Sequence, residues 1–141
     1  MVTPKKRERL RIGFIGAGTV ATALAIRLHS NGYPITSVAS RSFSSAEALS
    51  DQVPGCTPTN DQEEVLREAS IIFLTVPDDL IRDTANNLEW TAKHMVAHCS
   101  GSLGLEVLDG PRRLAAQIGI LHPYQTFSNT ENAGEHFSGS T

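Results

Sequence analysis

Cysteine is scarce in this chain of 141 residues: only Cys56 and Cys99 are present, far apart and without a partner at CxxC spacing. Neither a zinc centre nor a dithiol redox pair is indicated, and two free thiols in a reducing cytosol is the plain reading. Charge is sparse too, at 19% of residues with a formal net charge of −3. That balance speaks against an acidic disordered chain and against a broadly basic nucleic-acid surface. No run approaches the roughly 18–20 apolar residues that a membrane span needs. A secretory signal over Ile12 to Leu28 is rejected, because Gly13, Gly16, Gly18 and Thr19 interrupt the stretch. The expected protein is cytoplasmic, with neither nucleic acid nor membrane as partner and no metal site.

What remains is an ordinary globular composition, 40% hydrophobic, in a length that suits one domain. Lys5, Lys6, Arg7, Arg9 and Arg11 crowd the start without interleaved aromatics and read as a solvated lead-in, assigned to residues 1–9. From residue 10 the chain alternates strand and helix. Arg11 to Gly16 is a short apolar run closed by glycine, and Val20, Ala21, Leu24, Ala25 and Leu28 follow at helical spacing until Asn31-Gly32. Ile35 to Ala39 reads as a second strand. Ser44 with Glu47, and Asn60 with Glu63, have capping-box spacing and open two further helices, with a brief edge strand at Cys56 to Pro58 between them.

Ile71 to Val76 is the clearest strand, apolar apart from Thr75, as a parallel strand covered on both faces must be. Pro77-Asp78-Asp79 opens a helix with Leu80, Ile81, Thr84, Ala85 and Leu88 on one face. Strands at Met95 to Ala97 and Gln117 to Leu121 flank a helix around Leu105 to Leu108. Six strands with helical crossovers predict an α/β fold in three layers, a doubly wound and mostly parallel sheet over residues 10–127. Residues 128–141 are polar and aperiodic, and are expected to be either a disordered tail or, preferably, the start of a missing C-terminal region of a longer protein. There is no internal repeat.

Gly16-Ala17-Gly18-Thr19-Val20-Ala21 has the G-x-G-x-x-[G/A] pattern of a phosphate-binding turn, placed between a predicted strand and a predicted helix. Gly16 permits the tight turn, Gly18 lets a pyrophosphate approach the backbone, and Ala21 lets the helix pack close. Strand two then ends in Ser40-Arg41-Ser42, with no acid before Glu47 to accept from a ribose 2′-hydroxyl. Such an ending favours a 2′-phosphate, so NADP is expected over NAD. The same missing acids weaken a third reading, a methyltransferase holding S-adenosylmethionine.

Five motifs stand in order: Gly16 to Ala21, Val38 to Ser42, Phe73 to Asp79, His98-Cys-Ser-Gly101, and His122-Pro-Tyr-Gln-Thr-Phe127. Together, over Leu10 to Phe127, they resemble a family of Rossmann-like proteins related to pyrroline-5-carboxylate reductase and 6-phosphogluconate dehydrogenase, in which a domain of unknown function follows the nucleotide domain. The resemblance implies an NADP-linked reductase fold whose later helical domain, absent from this chain, builds a homodimer and most of the substrate pocket. It also implies that Val76, Pro77 and Ser100 line the cofactor.

Candidate chemistry gathers at the carboxyl ends of the strands. A reductase leaves hydride transfer to its cofactor and needs the protein to orient substrate and supply a proton, a task that suits His122 or His98, with Ser100 to hold a polar substrate group. A histidine at a strand end is also a common hydrogen-bonded scaffold residue. Asp78 and Asp79 are read first as satisfying the amides at a helix start, and second as handling protons. The expected function is the NADP-binding part of an oxidoreductase acting on a small carbonyl or imine compound. The alternative is a nucleotide-binding sensor or structural module without turnover.

Overall fold

The computed structural model describes residues 10–122. The lead-in at 1–9 and the segment 128–141 lie outside the described residues. Six strands run in the order β1 (Ile12–Ile15), β2 (Ile35–Ala39), β3 (Thr57–Thr59), β4 (Ile71–Leu74), β5 (Met95–His98) and β6 (Gln117–Ile120). The helices are α1 (Thr19–Ser30), α2 (Phe43–Ser50), α3 (Gln62–Glu68), α4 (Asp78–Asn86) and, after a 3₁₀ turn at Leu105–Leu108, α5 (Asp109–Arg113). The sheet has the order β3-β2-β1-β4-β5-β6, and every pairing in it is parallel. The order reverses between β1 and β4, and there a doubly wound sheet opens a crevice beyond its strand ends.

Alternation along each strand divides the apolar side chains between two cores. Ile12, Phe14, Ile71 and Phe73 join the buried residues of α1 and α2 on one face; Ile15, Ile72 and Leu74 join those of α3, α4 and the 3₁₀ turn on the other. Phe14 and Phe73 stand opposite one another across β1 and β4, with ring centroids 5.5 Å apart. Three layers result, as the crossover pattern predicts.

Local boundaries differ from expectation in instructive places. Residue 42, not 44, precedes the first turn of α2, and the Ser42 hydroxyl is engaged with that of Ser44 at 2.9 Å, so no side chain caps this helix. For α3 the cap is Asp61, whose Oδ1 accepts from the Glu63 amide at 3.0 Å, while Glu63 accepts from the Glu89 amide at 3.1 Å. The carboxylate one residue on thus displaces Asn60. The edge strand begins at Thr57, because Thr57, Pro58 and Thr59 are the residues in register with β2. β4 stops at Leu74, the last residue in register with β1; the Thr75 amide still donates to the Ile15 oxygen, and beyond it the Gly16 turn leads β1 away.

α3 lies close against β1 at Gly13, where a Cβ would come within 2.5 Å of Val65 Cγ1 and 3.1 Å of the Ala69 Cβ. Val65 is buried and stiff at χ1, so it has little room to yield. Gly13→Ala is expected to lower stability by about 1–3 kcal/mol, an overpacking effect that urea unfolding would measure. An unchanged midpoint would show that α3 can retreat from the sheet.

Candidate functional site

The first crossover is built to leave amides bare. Gly16 takes φ of +107°, and a Cβ there would lie 2.5 Å from the Thr75 carbonyl oxygen, so both conformation and space demand glycine. Its amide donates to the Ala39 oxygen at 2.8 Å, tying the turn to β2. Thr75 secures the other side: its amide donates to the Ile15 oxygen at 2.8 Å and its hydroxyl to the Gly16 oxygen at 2.8 Å. Helix α1 then starts from Gly18 with no side-chain cap and no acid in its first turn. Nothing lies within 4 Å of where a Gly18 Cβ would be, so the backbone here faces open space. An uncapped helix start with its positive dipole end exposed is suited to an anion.

A cleft of about 490 Å³ lies over this turn. Gly16, Ala17, Gly18, Thr19 and Val20 form one wall, and Ser40, Arg41 and Ser42 another, with Val76 and Pro77 opposite. The structure thus brings ten of the expected cofactor-binding positions to one cavity. Arg41 is exposed, and the ion pairs among the described residues, Arg67 with Asp61 and Arg112 with Asp109, leave it uninvolved. Thr75, Gln62, Leu80 and Thr84 also line the cleft and were missed from sequence. Gln62 and Leu80 sit in the first turns of helices that follow strand ends, a position rule that could have found them; Thr84 follows Leu80 by one helical turn.

The second group of expected site residues is placed differently. His98 is completely buried, with Nε2 at 2.9 Å from the Gly104 oxygen and Nδ1 accepting from the Ser100 amide at 3.1 Å. Both ring nitrogens are occupied, so His98 serves as scaffold and presents no atom to a substrate. Ser100 is likewise buried. Its hydroxyl donates to Asp78 Oδ2 at 2.8 Å and accepts from the amides of Ser102 and Leu103, each at 3.1 Å, which uses its full hydrogen-bonding capacity. Neither residue is among those that line the cleft. The same Asp78 oxygen also accepts from the Ser102 hydroxyl at 3.0 Å, and the N-cap position of α4, Pro77, makes no side-chain capping bond. His122 stands exposed just beyond β6, at the same end of the sheet but outside the cleft lining.

Fold and cleft together define a doubly wound nucleotide-binding domain. Residues 2–123 match the Rossmann-like domain family, and the chain belongs to that family. Glycerol-3-phosphate dehydrogenase [NAD(P)+] of Thermus thermophilus is 37% identical over 91 residues, 56% of this chain and 28% of that protein. Pyrroline-5-carboxylate reductase of Vibrio alginolyticus is 30% identical over 98 residues, 67% of this chain and 36% of that one. The chain therefore spans about a third of the length of these relatives. Among solved structures, a Bacteroides fragilis protein provisionally classed as an NADP oxidoreductase superposes with a TM-score of 0.68 at 27% identity, covering 82% of this chain and 44% of that chain. The Coxiella burnetii pyrroline-5-carboxylate reductase shares the fold, with a TM-score of 0.64 at 22% identity over 77% of this chain and 42% of that chain.

Burial raises both thiols, Cys56 to about 11 and Cys99 to about 12. In the unfolded chain they titrate near 9.0. The unfolded state therefore loses these protons first, and stability is expected to fall as pH rises from about 9 toward 12. Cys99→Ala should flatten that decline in urea titrations at stepped pH. An identical slope in the variant would show that Cys99 is not its source.

Proposed function

We propose that this chain is the NADP(H)-binding part of an oxidoreductase acting on a small carbonyl or imine compound. The observation that carries the reading is the pairing, in one cleft, of a bare helix start at Gly18 with a basic, acid-free rim at Ser40-Arg41-Ser42. A pyrophosphate fits the first, since a Cβ at Gly18 would point into open space and the α1 amides are free to donate. A 2′-phosphate fits the second, since the Arg41 guanidinium carries donors and charge where a carboxylate would repel. Two relatives are named for nicotinamide dinucleotides, NAD(P)+ in one and NADP in the other, which supports a cofactor of that class.

When bound, the nicotinamide group supplies the hydride. The chain's own residues bind and orient: Gly16 to Val20 hold the phosphates, Arg41 with its flanking serines selects the ribose substituent, and Val76 with Pro77 bounds the cleft opposite. In this reading His122, exposed at the carboxyl end of β6, hands on the proton. A homodimer formed through the domain that follows in the relatives belongs to the same reading.

Calorimetric titration of the chain with NADPH and NADH tests the cofactor assignment. NADPH should bind about ten- to a hundredfold more tightly, the span of one charge-assisted hydrogen bond. Arg41→Asp should abolish that preference while adenine-nucleotide binding persists. Equal affinities in the unaltered chain would overturn the role given to Arg41.

A further inference from the structure

One polar cluster at the carboxyl edge of the sheet is not explained by the cleft. Asp78, in the first turn of α4 after β4, accepts two hydroxyl hydrogen bonds on a single oxygen, from Ser100 at 2.8 Å and Ser102 at 3.0 Å. Those serines belong to the loop after β5, so the contact joins the segments that follow two neighbouring strands. Ser100 then holds its own loop through the amides of Ser102 and Leu103, and His98 ties the two ends of that loop through the Ser100 amide and the Gly104 oxygen. Backbone at 98–104 is thus fixed from three directions. Pro77, next to Asp78, lines the cleft.

From these bonds we infer that Asp78 is a positioning residue: through Ser100 and Ser102 it presets the loop after β5 as a wall of the nicotinamide half of the dinucleotide site. The inference rests on the cofactor reading above. In a doubly wound sheet the β1–β3 half takes the adenosine side, and the β4–β6 half faces the other nucleotide. A loop already ordered adds nothing to the entropy lost on binding, whereas a loosened one must be ordered by the ligand. The effect of breaking the latch therefore falls on one half of the ligand.

That asymmetry makes the test. The chain would be titrated with NADPH and with adenosine 2′,5′-bisphosphate, which carries the adenine side alone. Asp78→Ala should weaken NADPH binding about tenfold, the equivalent of one lost charge-assisted hydrogen bond, and leave the bisphosphate unchanged. Asp78→Asn retains an acceptor oxygen and should restore most of the NADPH affinity. Ser100→Ala should reproduce the loss, and the double variant Asp78→Ala with Ser100→Ala should add little to it. Equal affinities in Asp78→Ala and the unaltered chain would overturn the latch, as would parallel loss of both ligands, which marks general damage to the fold. Failure of the unaltered chain to bind either ligand would overturn the cofactor reading first, and the latch with it.

Discussion

The close passage of two backbones at the centre of the sheet is the constraint on which everything else depends. Gly16 and Thr75 approach so nearly that no side chain fits between them, and three donors from these two residues secure the spot. The approach ends the β1–β4 ladder, turns the chain outward on one side and releases Val76-Pro77 on the other. A cleft exists because the two strands part there. Replace the glycine, and the positive φ and the contact with the Thr75 carbonyl are lost together.

Around that point, polarity is distributed by omission as much as by placement. The helix start that meets the cleft has no cap and no acid, whereas α3 is capped by Asp61 and carries two glutamates in its first turn. Capping side chains stabilise a helix by satisfying the same amides that a phosphate would use. Leaving α1 bare sacrifices some local stability, and the deep packing of Ala21, Leu24, Ala25 and Leu28 offsets it. At the sheet's other half the pattern inverts: Asp78, Ser100 and His98 direct their hydrogen bonds to the loop from Ser100 to Gly104.

Sequence reasoning reached the fold because the signals it used are local and redundant. Apolar runs, helical spacing and glycine turns each point to the same element, and six strands were found at their places with boundary shifts of one or two residues. The glycine turn was legible for a further reason, since its chemistry lives in the backbone and needs no distant partner. The hydrogen-bond partners of Asp78, Ser100 and His98 were not legible in the same way. Their roles depend on which of several nearby groups takes each proton, and spacing along the chain does not say that Ser100 would use its hydroxyl on a carboxylate 22 positions earlier. Thr84 escaped because it lines the cleft only after α4 has docked.

The sheet order carries a consequence for how the molecule assembles. β1 pairs with β2 across a single crossover, but its other edge waits for β4, and the bond from Thr75 to the Ile15 carbonyl spans 60 residues. Closing so large a loop is slow compared with forming a helix or a neighbouring crossover. The two halves of the sheet can acquire secondary structure early, yet the gap between them becomes a cavity only when this last junction shuts. A ligand held there would report completed long-range closure, something that helix content measured alone would overlook.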